Sequence, residues 1–252
     1  METETKLESS KLSVPMAIII AGILIAGAIL LKGTKSPLSE NAGVNPNDLK
    51  SITVAPVTDK DATLGDLNAK VTVILYEDFQ CPFCGAISGL EAKSEAVDYL
   101  KQVDPNWIPS MPGINEYVKN GDVLLVYRDW AFLGPESVRS AEAARCAKDQ
   151  GKFWEYHDFL YSHQNGENKG GFSDSNLKSF AKNLGLDITS FNQCFDSNKY
   201  AQEIEDAKNE GIVAGVKGTP KGYILKKGKV LSTIEGAESF STVKPKIDAA
   251  LK

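Results

Sequence analysis

Two cysteines separated by two residues, Cys81 and Cys84, are the residues of this chain best suited to chemistry. They follow a segment typical of a strand and open a segment with helical character. Free N–H groups and the helix dipole at a helix N-terminus stabilise a thiolate, which lowers the pKa of the first thiol below its usual value of about 8.5. Pro82 suits the first helical turn, where its missing N–H costs nothing. We expect Cys81 to be a nucleophile and Cys84 to resolve the mixed disulfide that Cys81 forms.

Such a pair is also compatible with a structural zinc site or with an inert disulfide. Zinc would need a second pair of ligands, yet Cys146 and Cys194 lie far apart and no further C-x-x-C or H-x-x-x-H motif accompanies them. A disulfide that closes a two-residue loop is strained and therefore labile. We favour redox catalysis, with no metal and no other cofactor.

The composition limits the partners of the chain. Of its 252 residues 42% are hydrophobic and 24% charged, which excludes wholesale disorder and is enough for one large domain or two small ones. The formal net charge is −5, and without residues 1–35 the chain has 24 basic and 30 acidic side chains. Because nucleic-acid binding needs clustered positive charge, we expect no nucleic-acid partner.

The N-terminal part contains a candidate membrane anchor. Residues 14–31 carry no charge, and at about 1.5 Å per residue they span most of a hydrocarbon core of about 30 Å. This predicts a transmembrane helix between a tail at 1–13 and a flexible linker at 32–50. A cleaved signal peptide is the alternative, but its apolar core is usually shorter and no A-x-A-like site follows. The flanking lysines are evenly divided, so they leave the orientation open.

The globular part, predicted at 51–252, begins with a βαβ pattern. Residues 71–76 and 123–128 are short apolar runs typical of buried strands, and helical character extends from Cys81 to about Leu100. A strand, a helix and a second strand in this order predict a right-handed crossover unit with parallel strands.

The second half begins with a helical block at about 135–215, in which the clearest helix starts from a cap at 173–175. A hairpin signal at Lys227-Gly228 follows, and a last helix is predicted at 240–251. The hairpin strands are predicted at 222–225 and 230–234. The whole order predicts an α/β fold that a helical block interrupts.

Four motifs stand in order along the globular part. They are EDFQCPFC at 77–84, VYRD at 126–129, CAKDQGKFW at 146–154 and GTP at 218–220. Together they resemble the motifs of the DsbA-like thiol:disulfide oxidoreductases of the thioredoxin superfamily, and the likeness extends from about Leu64 to the C-terminus. It implies a thioredoxin fold with an inserted helical domain, which agrees with the order of elements.

The resemblance also implies a substrate-binding surface beside the cysteines. Pro220 should follow a cis peptide bond, and the backbone of Thr219 should pair with an extended substrate segment. Pro82 and Phe83 should contact the same substrate.

A proton acceptor for the second cysteine is harder to assign. In thioredoxin and DsbA this acid lies six positions before the first cysteine, where this chain has Leu75. Asp78, Glu77 or water would have to replace it, and a capping or turn role is the alternative for Asp78. The central Pro-Phe pair lacks the histidine of the most oxidising relatives, so we expect a less extreme oxidant.

The other two cysteines bear on the compartment. Unpaired core thiols are common, but some DsbA-like proteins carry a disulfide between the two helices in which Cys146 and Cys194 lie, and the resemblance favours that bond. It would persist only outside a reducing cytosol. The N-terminus would then be cytoplasmic and the domain extracytoplasmic.

We therefore expect a membrane-anchored enzyme that introduces disulfides into reduced or misoxidised extracytoplasmic proteins, with a membrane quinone-linked thiol oxidase as its reoxidising partner. A reductase or isomerase is the alternative within this chemistry, and a peptide-binding or holdase module the alternative outside it. We expect His157 to be packed or solvated rather than catalytic. Residues 99–117 either contact substrate or pack as an insertion.

Overall fold

The two apolar runs of the first half form neighbouring parallel strands at the centre of a mixed sheet. The structure is a computed structural model that describes residues 49, 51–90 and 94–252. Its strands are β1 Ala62–Leu64, β2 Val71–Glu77, β3 Val123–Asp129, β4 Lys221–Lys226 and β5 Lys229–Glu235. Their order in the sheet is β1-β3-β2-β4-β5, and of these pairs β2 and β3 are parallel while the others are antiparallel.

The helices lie where the crossover, the helical block and the last helix are expected. They are α1 Pro82–Ser88, α2 Glu95–Val103, α3 Ser110–Lys119, α4 Pro135–Lys148, α5 Phe153–Ser162, α6 Asp174–Asn183, α7 Ile188–Asp196, α8 Ala201–Ala214 and α9 Phe240–Leu251. The predicted strands, the helix after Ser173 and the last helix are confirmed, with ends that differ by one or two residues.

The central strand β2 separates two cores because successive side chains of a strand point to opposite faces. Val73 and Leu75 pack with α1, α2, α3 and α9, whereas Ile74 and Tyr76 pack with Ala214 at the end of α8. A third core lies within α4 to α7 and includes both Cys81 and Cys84. The helical block therefore packs directly against the start of α1.

The β4–β5 hairpin follows from its turn residues. Lys227 and Gly228 have φ values of +50° and +73°. Two consecutive positive φ angles match the twist of a two-residue hairpin, and glycine reaches this region without steric cost. The predicted hairpin is confirmed.

The prediction of one helix from Cys81 to about Leu100 is wrong. Helix α1 ends at Ser88, because Gly89 adopts φ +75° and caps it in the left-handed conformation. A Cβ at Gly89 would lie 2.9 Å from Pro112. Helix α2 starts separately after Ser94, whose side chain accepts a hydrogen bond from the Val97 N–H.

The segment 99–117 packs rather than forming an open loop. Trp107, Met111 and Ile114 are buried against the sheet, and the Trp107 indole N–H donates to the Ala237 carbonyl at 2.8 Å. Strand β1 is an element that the sequence pattern did not indicate, because three residues are too few to show a period.

The predicted anchor at 14–31 lies outside the described residues. Among the residues that the structure does describe, no helix has both the length and the apolar composition needed to cross a membrane.

Candidate active site

Cys81 lies at the first turn of α1, a few residues after the end of β2. It is the N-cap of α1, with an extended backbone, and Pro82 occupies the first turn. The N–H groups of Cys84 and Gly85 both donate to the Cys81 carbonyl at 3.1 Å. The parallel strand thus delivers Cys81 to the positive end of a helix, as its sequence context predicts.

The environment of Cys81 favours its thiolate. A hydrogen bond from the Cys84 thiol is the largest cause that lowers the pKa of Cys81 below its ordinary value, and the N–H groups of Phe83 and Cys84 add to it. Burial opposes this shift, since Cys81 is 4% exposed. Cys81 is therefore the thiol of the pair that ionises first.

Cys84 has the opposite character. It is fully buried, and burial raises its pKa well above the ordinary value. Its hydrogen bond to Cys81 and the negative charges of Cys81 and Glu77 raise the pKa further. Both cysteines are free thiols in this structure.

A cis peptide bond joins Thr219 to Pro220 beside the two thiols. Strand β4 starts directly after it and pairs with β2, with Lys221 opposite Tyr76, so the loop lies at the end of the sheet from which α1 begins. The Thr219 carbonyl oxygen lies 3.4 Å from Cys81 Sγ. Pro220 is buried, whereas Thr219, Pro82 and Phe83 are half-buried.

Asp78 accepts four hydrogen bonds although its side chain is buried. One oxygen accepts from the Gln80 N–H at 2.8 Å and the Ser137 hydroxyl at 2.7 Å. The other accepts from the N–H groups of Phe132 and Leu133 at 2.9 and 3.1 Å. Both oxygens are thus committed to holding the loop before Cys81 against the start of α4.

Glu77 is also buried, but only one of its two carboxylate oxygens accepts a hydrogen bond from the described residues. Its Oε2 accepts a 2.6 Å hydrogen bond from the Tyr161 hydroxyl, while its Oε1 is buried with no hydrogen-bond partner among the described residues. Burial raises the pKa of Glu77 to about 7, against the lowering effects of His157 and Tyr161. A carboxyl that titrates near neutral pH next to a buried thiol can exchange a proton with it.

Two glutamines that sequence reasoning missed fix the loop before α1. Gln164 donates to the carbonyls of Phe79 and Cys81 at 2.6 and 3.1 Å. Gln80 donates to Ser137 at 2.9 Å and accepts from the Asn168 N–H at 2.6 Å. Gln80 belongs to a motif of the resemblance, but no pattern marks Gln164, since its role depends on a contact 83 residues away.

Cys146 and Cys194 form a disulfide between α4 and α7, with Cα atoms 5.8 Å apart. His157 is 1% exposed and packed among aromatic rings, so it is a buried residue of α5. Within residues 49, 51–90 and 94–252, no three His, Cys, Asp or Glu side chains are grouped as metal ligands would be.

A C-x-x-C pair at a helix start, beside a cis-proline loop and at the end of a parallel strand, defines a thioredoxin-like site. A family model described as thioredoxin matches residues 57–98 and 110–248, which is more than half of the chain. The chain therefore belongs to the thioredoxin family. Its helical insertion gives it the fold of the DsbA-like members.

Solved and curated relatives agree with this assignment. The crystal structure of alpha-DsbA1 from Wolbachia pipientis has a TM-score of 0.61 at 21% identity, and the match covers 78% of this chain and 92% of that one. A probable disulfide bond formation protein D from Bacillus anthracis is 23% identical over 194 residues, covering 75% of this chain and 78% of the relative.

Other relatives are much longer proteins. The Na(+)/H(+) antiporter NhaA 1 of Salinispora arenicola is 28% identical over 169 residues, which is 66% of this chain. The chain spans 22% of that antiporter's length, so the likeness concerns one part of it.

Proposed function

We propose that this protein is a membrane-anchored, extracytoplasmic thiol:disulfide oxidoreductase that introduces disulfides into secreted or surface proteins. The observation that carries the proposal is the asymmetry of the pair, since the pKa of Cys81 is lowered and that of Cys84 is raised. The sulfur with the lower pKa is the better leaving group when a second substrate thiolate attacks the mixed disulfide, and Cys81 is also the less buried sulfur of the pair, at 4% against 0% exposed. Cys81 is accordingly the sulfur that bonds to substrate.

The reaction runs through two exchanges. A substrate thiolate attacks Cys81 Sγ of the oxidised enzyme, the S–S bond breaks, and Cys84 leaves and takes a proton. A second substrate thiolate then attacks the substrate sulfur of the mixed disulfide, and Cys81 leaves as a thiolate. Two electrons pass from the substrate to the enzyme, which is left as a dithiol.

Glu77 supplies and accepts the proton of Cys84 in this scheme. Its pKa near 7 lets both of its protonation states occur at neutral pH. Asp78 is the weaker candidate because each of its oxygens already accepts two hydrogen bonds. The cis Thr219-Pro220 loop, Pro82 and Phe83 would hold an extended substrate segment over Cys81.

A membrane quinone-linked thiol oxidase would return the dithiol to the disulfide. The extracytoplasmic location is supported by the Cys146–Cys194 disulfide, because such bonds persist in oxidising compartments. The charge-free segment at 14–31 supports the anchor, with the N-terminus in the cytoplasm. The name of the Bacillus anthracis relative supports the direction of the reaction.

The reduction potential of the Cys81–Cys84 couple tests the direction. Equilibration with glutathione buffers should give a value between about −120 and −180 mV, the range of oxidases and isomerases. A value near the −270 mV of thioredoxin would exclude the oxidase and leave the reductase.

A trapping experiment tests whether the site turns over at all. In Cys84→Ala the Cys81 thiolate can still attack a disulfide of a substrate protein, but Cys84 is no longer there to displace that protein, so mixed disulfides on Cys81 should accumulate in cells and be released by reductant. The matched control is the Cys81→Ala, Cys84→Ala double variant. Equal recovery from both variants would indicate a peptide-binding module instead.

A further inference from the structure

Of the buried polar atoms that have no hydrogen-bond partner among the described residues, three lie on the elements packed behind the dithiol. They are Glu77 Oε1 on β2, Tyr127 Oη on β3 and His157 Nε2 on α5. A buried polar atom that makes no hydrogen bond loses the hydration that it has in the unfolded chain without compensation. The Tyr127 ring centroid lies 5.5 Å from that of His157, and Glu77 lies within electrostatic range of both. Tyr161 connects the residues further, since its ring centroid lies 4.8 Å from that of His157 and its hydroxyl donates to Glu77 Oε2 at 2.6 Å, so the three residues belong to one buried cluster.

His157 connects this cluster to the surface. Its Nδ1 lies 2.8 Å from Oδ1 of Asp158, whose side chain is 59% exposed. His157 and Asp158 both line a surface cleft of about 470 Å³ formed with the end of α1 and with α3. Nδ1 therefore contacts a group in water, while Nε2 is buried without a hydrogen-bond partner among the described residues.

We propose that His157 passes protons between Glu77 and solvent, with one buried water joining His157 Nε2 to Glu77 Oε1. This inference rests on the proposed function, because it completes the proton exchange of Cys84. A buried site that offers three polar partners is the kind that holds an ordered water. His157 touches neither sulfur, so it is a positioning residue that acts through Glu77.

The transfer balances in both halves of the cycle. When Cys84 resolves a mixed disulfide, its proton goes to Glu77, then through the water to Nε2, while Nδ1 gives its own proton to Asp158 and solvent. When substrate reduces the enzyme, Cys84 leaves as a thiolate and one proton returns by the reverse route. Each full cycle restores the original tautomer of the imidazole.

The route is needed because Glu77 is 1% exposed and has no direct access to water. The cleft at His157 shares no lining residue with the cleft at Gln80 and Pro82, the two residues that flank Cys81 in the chain. A protein bound over Cys81 would leave the proton path open.

The pH dependence of this path involves all the titratable groups that face it. These are Cys81 at the N-cap of α1 and Cys84 within it, Glu116 and Lys119 of α3 in the cleft, Tyr127 from β3, and Tyr161 and Asp158 from α5, while Asp78 and Asp129 act on Tyr127. The pKa values of both tyrosines are raised well above the ordinary range, mainly by burial, so they stay protonated.

The test measures how fast Cys84 releases glutathione from a mixed disulfide preformed on Cys81, between pH 5 and 9, in the 252-residue chain in detergent. His157→Gln should slow release at least about tenfold at pH 7 and flatten the pH profile. Alkylation of Cys81 by iodoacetamide should be unchanged. The matched control is His163→Gln, which removes the other histidine, an exposed one, and should behave as wild type.

A folded His157→Gln variant with the wild-type rate and profile would overturn the proposal. If that variant does not fold, NMR spectra of the two histidines in the wild-type chain decide. The imidazole chemical shifts of His157 should differ between the oxidised and reduced enzyme while those of His163 stay fixed, and equal chemical shifts for His157 in both forms would overturn the relay. A wild-type chain without exchange activity would instead refute the proposed function.

Discussion

At the scale of single residues, Cys81 and Cys84 differ through their surroundings alone. One sits at the cap of α1, where N–H groups and a neighbouring thiol stabilise negative charge. The other is one turn further along, buried, and close to the acid Glu77. The pKa values of two identical side chains three positions apart are thereby shifted in opposite directions, as the proposed roles of leaving group and resolving thiol require.

Replacing Cys84 tests the cause of this difference. The hydrogen bond from Cys84 is the largest cause of the lowered pKa of Cys81, so Cys84→Ala should move the midpoint of Cys81 alkylation to higher pH. Cys84→Ser keeps a hydroxyl donor and should move it less. Iodoacetamide alkylation rates across pH 5–10 measure both variants. An unchanged midpoint in Cys84→Ala would assign the shift to the helix N-terminus instead.

Replacing Glu77 should change how stability depends on pH. The pKa of Glu77 rises from 4.5 to about 7 on folding, so its contribution is intact below pH 4.5 and is lost as the pH rises through 7. Glu77→Gln removes this loss. Between pH 4 and pH 8 the free energy of unfolding of the variant should rise by up to about 3 kcal/mol relative to that of the reduced wild-type chain.

Urea unfolding of the reduced chain at the two pH values measures this gain. Asp78→Asn is the comparison, since it removes the neighbouring carboxylate but should lower stability at pH 8 by breaking a saturated set of hydrogen bonds. A parallel pH dependence in wild type and Glu77→Gln would contradict the assignment.

The sequence alone identified the two cysteines but did not choose between Glu77 and Asp78. The choice depends on which oxygens are already bonded, and the donors to Asp78 include Phe132, Leu133 and Ser137, more than 50 residues away. No local pattern reports such contacts. The sequence likewise did not indicate that His157 packs against Tyr127, because β3 is distant from α5 in sequence.

At the scale of elements, two kinds of joint hold the helical block in place, one to the sheet side of the molecule and one between two of its own helices. Polar contacts of Asp78 and Gln164 tie its helices and loops to the start of α1. The Cys146–Cys194 disulfide instead braces α4 against α7 within the block. The first joint positions the site, and the second stabilises the block that provides it.

Removing the disulfide should lower stability without removing the redox pair. The bond joins cysteines 48 residues apart, and chain-entropy reasoning gives about 4 kcal/mol for such a loop. The Cys146→Ala, Cys194→Ala variant should lose about 2–4 kcal/mol of unfolding free energy in urea. It should retain the wild-type potential of the Cys81–Cys84 couple, whereas a large shift in potential would contradict the division between the two joints.

Element boundaries show where periodicity is informative and where it is not. The strands β2 and β3 were predicted within one residue because their apolar runs are continuous. The break at Gly89 was missed, since it depends on the close approach of Pro112 from α3. A glycine within a helical pattern ends the helix only where contacts from elsewhere in the fold favour its left-handed conformation.

At the scale of the whole molecule, the proposed anchor and compartment make a topological prediction. In a Cys81→Ala, Cys84→Ala background, Lys229→Cys places a thiol on the exposed side of β5, and a membrane-impermeant maleimide should label it in intact cells or spheroplasts. Lys6→Cys, in the predicted cytoplasmic tail, should be labelled only after permeabilisation. The reverse pattern would invert the orientation, and loss of the chain from the membrane fraction would refute the anchor.

The hydrogen bonds from Gln164 to the Phe79 and Cys81 carbonyls have a thermodynamic consequence. They join the docking of the helical block to the chemical state of the sulfurs, and such coupling is reciprocal. If docking of the helical block stabilises one redox state more than the other, that redox state in turn stabilises docking by the same free energy. Oxidation and reduction should therefore change how tightly the block closes on the sheet, and hence the surface that each form offers to its partner proteins.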